Sequence, residues 1–146
     1  MRSLLEKLNY KDQKRIAIIN PESKIDFNPF KEIKEIQIDN EIDQRYPYDF
    51  MIVLVTKISE VRQITPVALH NLTADGILWF CYPKKYSKKF MPDIDRDHGW
   101  KALKDFNFHG VRMISVDEEW SGIRFRNIKY IKSKSKRFVL KKERPE

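Results

Sequence analysis

The segment Asp49-Phe50-Met51-Ile52-Val53-Leu54-Val55 restricts the fold more than any other stretch of this chain. Its apolar run has no polar alternation, so a strand made from it offers neither face to water. Such a strand belongs in the middle of a sheet with helices packed on both sides, the usual setting of parallel strands.

The flanking segments read as the partners that a covered sheet needs. Arg15-Ile16-Ala17-Ile18-Ile19 is a buried first strand ended by Asn20-Pro21-Glu22-Ser23, and Glu35-Ile36-Gln37-Ile38 alternates like an edge strand. Ile77 to Tyr82, Val111 to Val116 and Gly122 to Arg126 supply later strands, the last read as antiparallel across a short turn. Helices fit between them. Ser3-Leu4-Leu5-Glu6 has capping-box spacing, and Asn28-Pro29 starts a helix with proline at its first position. Ser59 to Gln63 and Pro66 to Leu72 read as two helical pieces, the second capped by Thr65, with Val67, Leu69, Leu72 and Ile64 as the buried face. Trp100, Leu103 and Phe106 share one side of a helix around Gly99–Phe106. The expectation is a single three-layer Rossmann-like α/β domain over residues 1–126, with a mostly parallel sheet of five or six strands. Residues 127–146 are then a basic C-terminal tail.

Composition matters here mainly through where the charge lies. The net charge is +8, from 29 Lys/Arg and 21 Asp/Glu. Ten of the basic residues and two of the acidic ones fall in residues 124–146, which leaves residues 1–123 formally neutral. Lys134, Lys136 and Arg137 sit in that tail, where they would attract phosphate backbones or acidic surfaces over about a Debye length, roughly 10 Å at 0.1 M salt. At 146 residues the chain can bury about two-thirds of its unfolded surface. No apolar run nears the roughly 20 residues of a membrane span, and the amino terminus turns polar too early for a signal peptide. The single cysteine, Cys81, lies in an apolar run and reads as core packing in a reducing, cytoplasmic compartment.

Cofactor and metal motifs are missing where they would be needed. A dinucleotide or S-adenosylmethionine loop needs glycine after the first strand, so that the backbone can approach the ligand. Here that loop is Asn20-Pro21-Glu22-Ser23, and the chain's glycines are Gly76, Gly99, Gly110 and Gly122. There is no P-loop. Asp93-x-Asp95-x-Asp97 opens like a calcium loop but places His98 where glycine belongs and Lys104 where a bidentate Glu is required. His70, His98 and His109 show no zinc spacing and read as surface or helix-end histidines. No cofactor and no metal are expected.

Two strand endings remain as the place for a ligand, since open α/β sheets bind at the carboxyl ends of their strands. Lys84, Lys85, Lys88 and Lys89, interleaved with Tyr86 and Phe90, form a basic-aromatic loop suited to phosphate and base stacking. Across from them, Asp117, Glu118 and Glu119 offer a carboxylate base, Trp120 a stacking or core-capping ring, and Arg124 a partner for those acids. The two endings read as neighbours along one parallel sheet.

The residues Gly76-x-x-Trp79-x-x-Tyr82-Pro83-Lys84 and Asp117-x-x-Trp120-Ser121-x-x-Arg124, preceded by Tyr48-Asp49, resemble a family of small bacterial proteins of unknown function. The resemblance covers roughly residues 14–126. It implies a compact Rossmann-like domain and brings no activity or catalytic residue with it. The function expected from the sequence is therefore a non-enzymatic binding or regulatory module for an anionic partner, nucleic acid or a phosphorylated ligand. Lys84, Lys85, Lys88, Lys89, Trp120, Arg124, Lys134, Lys136 and Arg137 would be its contacts. The alternative is a small enzyme with Lys84 and Glu118 or Glu119 as its working groups at the strand ends. Self-association through Phe138-Val139-Leu140 is a further expectation.

Overall fold

The structure is a computed structural model that describes residues 3–20, 25–85 and 91–131. The doubly apolar segment forms β3 (Tyr48–Leu54), which lies inside the sheet as its pattern requires. Around it are β1 (Arg15–Ile19), β2 (Gln37–Asp39), β4 (Leu72–Pro83), β5 (Phe108–Ser115) and β6 (Trp120–Asn127), in the order β2-β1-β3-β4-β6-β5. The pairs β2–β1, β1–β3 and β3–β4 are parallel, whereas β6 runs antiparallel to both of its neighbours. This is the six-stranded, mostly parallel α/β sheet expected from the sequence.

Helices cover both faces because alternate residues of each strand point to opposite sides. On one side, Val53, Phe80, Ile123 and Phe125 pack under α3 (Ile58–His70) and α4 (Lys101–Lys104), with Trp100 among them. On the other, Ile52, Trp79 and Trp120 meet Leu8 and Phe30 of the segments carrying α1 (Leu4–Lys7) and α2 (Asn28–Lys31). The indole N–H of Trp79 donates to the Leu8 carbonyl at 2.8 Å, which ties the first helical turn to the sheet. Ser3 caps that turn by accepting from the Glu6 N–H at 3.2 Å. Cys81 is buried, as its apolar setting predicts.

Two helices differ from their sequence reading. The one expected around Gly99–Phe106 is only Lys101–Lys104, with Trp100 before it, and Phe106 is exposed instead of sharing the buried side of Trp100 and Leu103. The segments around Pro66 form a single helix, with Val61, Thr65 and Ala68 as the buried face. The Thr65 hydroxyl does not cap a second piece; it donates to the Val61 carbonyl at 2.7 Å, one turn back. Burial of that face outweighs the hydrogen bond that Pro66 removes. Among the described residues no helix is long and apolar enough to cross a membrane.

Candidate functional site

The two strand endings are close, but not as neighbours in a parallel sheet. Strand β6 lies between β4 and β5, pairing Pro83 with Trp120 on one side and Ser115 with Ser121 on the other. The Lys84 N–H donates to the Glu119 carbonyl at 2.7 Å, and the Lys84 ammonium donates to Ser115 Oγ at 2.8 Å. Asp117 is occupied in the turn between β5 and β6, where one carboxylate oxygen accepts from the Glu119 and Trp120 N–H groups, each at 2.8 Å. Glu118 and Glu119 are exposed, and their carboxylates meet no partner among the described residues. Trp120 is buried in the α1 face and belongs to the core. Arg124 pairs with none of the three acids. Its Nε is buried without an acceptor among the described residues, and its charged surroundings are Arg126, Asp75 and Arg112. Lys88, Lys89, Lys134, Lys136 and Arg137 lie outside the described residues, as does Phe138-Val139-Leu140.

The carboxylates that do face Lys84 come from a segment the sequence reading set aside. Tyr82, Lys84, Lys85, Asp95, Arg96, Asp97 and Ser121 line a cleft of about 310 Å³ at the carboxyl end of β4. The loop that supplies Asp95 is fixed at several points. Asp93 accepts from the Ile58 N–H at 2.7 Å, capping α3, and Ile94 is buried in the core. Asp95 and His98 bridge through their backbones, and the Trp100 indole donates to the Asp95 carbonyl at 2.9 Å. Gly99 closes the turn at φ +106°, a conformation that side chains disfavour.

Within this turn one Asp95 oxygen lies 2.8 Å from His98 Nδ1 and accepts from the Asp97 N–H at 2.8 Å. Burial pushes the Asp95 carboxyl up, but the contacts with His98 and the Asp97 N–H outweigh it and hold the group below its ordinary value. Asp95 is therefore an ionised acceptor at neutral pH with a fixed orientation. Burial pushes the Tyr82 phenol up to about 12, so it stays protonated there. The cleft thus joins two ammonium groups, a held carboxylate backed by an imidazole, and a phenol. Sequence reasoning missed the Asp95–His98 pair because it tested the aspartates only against a calcium loop and the histidine only against zinc spacings. The available signal was an aspartate three residues before a histidine, followed at once by glycine.

The carboxyl ends of β1 and β3 meet where the strand order reverses, the point at which open sheets of this kind bind nucleotides. Here Asn20, at φ +60°, donates its side-chain amide to the Leu54 carbonyl at 3.0 Å and spans the two ends. Asn40, just past β2, donates to the Ile18 carbonyl at 3.2 Å. Asp39 lies lower on the sheet, in register with Ala17, and accepts from Arg15 Nε at 2.7 Å and from the Tyr48 hydroxyl. A larger cleft of about 740 Å³ lies beside these ends, between Ile18, Ile38 and Asn40 and the segment of Phe27 and Lys31. Its acid, Asp26, is engaged by the Asn28 N–H at 2.9 Å.

No family model matches the chain, and no curated protein matches it. Solved structures do. A SAM-dependent methyltransferase from Aquifex aeolicus superposes with a TM-score of 0.56 at 12% identity, over 86% of this chain and 88% of that one. The fold is methyltransferase-like. The N-methyltransferase NodS from Bradyrhizobium japonicum gives a TM-score of 0.53 at 14% identity, over 85% of this chain and 92% of its own. The same enzyme in complex with S-adenosyl-L-homocysteine gives 0.52 at 14% identity, over 86% and 83%. These likenesses correct the expectation of a non-enzymatic binding module. That expectation rested on a fold with no chemistry attached, whereas these solved chains of like fold are named as methyltransferases.

Proposed function

We propose that this chain is a small methyltransferase-like enzyme whose working centre is the cleft between β4, β6 and the Asp93–His98 loop. The observation that carries the reading is the Asp95–His98 pair set against Lys84 and Lys85 at the carboxyl ends of the strands. The lysines would hold the anionic group of a small substrate. Asp95, ionised and oriented by His98, would accept a hydrogen bond from the substrate's protonated group, and Tyr82 would donate one from its un-ionised hydroxyl. The two signs of charge in one cleft suit a substrate that carries both an anionic group and a protonated one.

The donor of the neighbouring enzymes, S-adenosylmethionine, does not fit the place where this topology would hold it. No glycine occurs in residues 20–27. The Asn20 amide occupies the gap between β1 and β3. Asp39, the acid nearest the end of β2, is turned to Arg15 and Tyr48 instead of a ribose. No chemical step therefore follows through that donor.

A thermal-shift screen of the full chain tests this reading, because any ligand that prefers the folded state raises its melting temperature. A small zwitterionic or phosphorylated metabolite should raise it, and Lys85→Ala and Asp95→Asn should each abolish the shift. S-adenosylmethionine and S-adenosylhomocysteine should give none. A shift with either of those two that survives both substitutions would place the ligand at β1 and overturn the assignment of the cleft.

A further inference from the structure

The sheet face opposite α3 and α4 carries an arginine group that neither the core nor the proposed cleft uses. Ile123 and Phe125 of β6 point into the core under α3, so Arg124 and Arg126, at alternate positions, point to the other side. Arg112 of β5 lies directly across from Arg124 in register and shares that face. Among the described residues the carboxylate beside these charges is Asp75, and Arg126 takes both of its oxygens, at 2.7 and 2.6 Å. Arg124 and Arg112 are left without an acceptor among the described residues, and the Arg124 Nε is buried. Burial and the neighbouring guanidiniums of Arg126 and Arg112 lower the Arg124 pKa, with only Asp75 opposing them. A buried guanidinium N–H without an acceptor beside a second cation is an unfavourable arrangement that an anion would relieve.

We propose that Arg112 and Arg124 form an oxyanion site on the face of β4, β6 and β5, and that its ligand is a tetrahedral oxyanion of the phosphate class. A planar carboxylate satisfies one guanidinium fork, as Asp75 does for Arg126. Two forks approaching from adjacent strands call for an acceptor with more oxygens and more charge, which a phosphate supplies. The site is separate from the Lys84 cleft, because Tyr82 and Ser121 face the other side of the sheet from Arg124.

The test is a calorimetric titration of the full chain at fixed ionic strength. Inorganic phosphate and phenyl phosphate serve as probes, with acetate and chloride as controls. Either phosphate should bind where acetate and chloride do not, and tighter binding of the ester would identify an organic phosphate as the better ligand. Arg124→Gln and Arg112→Gln should each weaken phosphate by about tenfold or more. Should Arg124→Gln fail to fold, Arg112→Gln decides the matter, together with phosphate-induced amide shifts at positions 112 and 124 in the unsubstituted chain. Unchanged affinity in the Arg112 variant would assign the phosphate to other cations and overturn the proposal. So would the absence of phosphate binding, or equal binding of acetate.

Discussion

Adding one methyl group at Gly99 and the same methyl group at Gly122 should have opposite consequences. Gly99 has φ +106°, and a Cβ built on it lies 3.2 Å from Ile94 Cγ1 and 3.3 Å from both Ile58 Cγ1 and Ile94 Cγ2. The backbone conformation alone costs an alanine about 1–3 kcal/mol. The crowding adds up to about 1 kcal/mol, because the neighbours are side chains that can yield a few tenths of an ångström. Gly99→Ala should therefore destabilise the chain by about 1–4 kcal/mol. At about 3 °C per kcal/mol for a domain of this size, the melting temperature should fall by roughly 3–12 °C. Gly122 has an ordinary backbone, and a Cβ there would lie 3.4 Å from Ile114 Cγ1 and 3.5 Å from both Trp79 Cε3 and Val116 Cγ2. Those are normal contacts, so Gly122→Ala should be neutral or stabilising by up to about 1 kcal/mol, largely through the unfolded chain. Urea titration followed by tryptophan fluorescence measures both. Equal losses in the two variants, or a Gly99→Ala midpoint indistinguishable from the parent, would refute the conformational argument and with it the rigid turn assigned to Asp95 and His98.

Three further outcomes follow from individual contacts. Trp79→Phe leaves the Leu8 carbonyl without its donor and should cost about 1–3 kcal/mol in urea, with faster amide exchange confined first to α1. Burial pushes the Asp39 carboxyl up, but hydrogen bonds from Tyr48, Gln37 and Arg15 outweigh it and depress the folded pKa. Its stabilisation is then complete above the unfolded value of about 3.9 and is lost as pH falls through the lower folded value. The urea midpoint should accordingly drop below about pH 4 in the parent and drop less in Asp39→Asn; an identical acid profile would remove Asp39 from the account. Cys81 is buried with its thiol pushed up to about 12, so an aromatic disulfide reagent should label it only after urea unfolding, and rapid labelling of the native chain would contradict its place in the core.

The sheet was legible wherever hydrophobic patterning alone decides the outcome. β1 is bounded as read because an apolar run stops at Asn20-Pro21, and β3, read from Asp49 to Val55, lies one residue earlier at each end, inside the sheet as its apolar faces require. Pairing order was less accessible. The Asp117 turn lets β6 fold back, but only the packing of Ile123 and Phe125 against Phe80 and Trp100 brings it between β4 and β5. Pro66 misled the helix reading for a similar reason, since local propensity favours a break and the buried face of Val61, Thr65 and Ala68 favours continuity. At the site, Lys84 was visible as a cation after a strand. The acid facing it was not, because Asp95 reaches the cleft from a loop that only the fold brings near, while Glu118 and Glu119 turn to solvent.

The reversed strand also sets an order of events during synthesis. Among the described residues β5 pairs with β6 alone, so residues 108–115 emerge from the ribosome with no described strand ready to receive them. Until residues 120–127 follow, the long β4 has an open hydrogen-bonding edge, the kind of surface that recruits other chains. Parallel pairing of β1, β3 and β4 does not remove that hazard, because it occupies only the other edge of β4. A nascent chain halted at the Asp117 turn is thus two ladders short, and completion of β6 closes both at once.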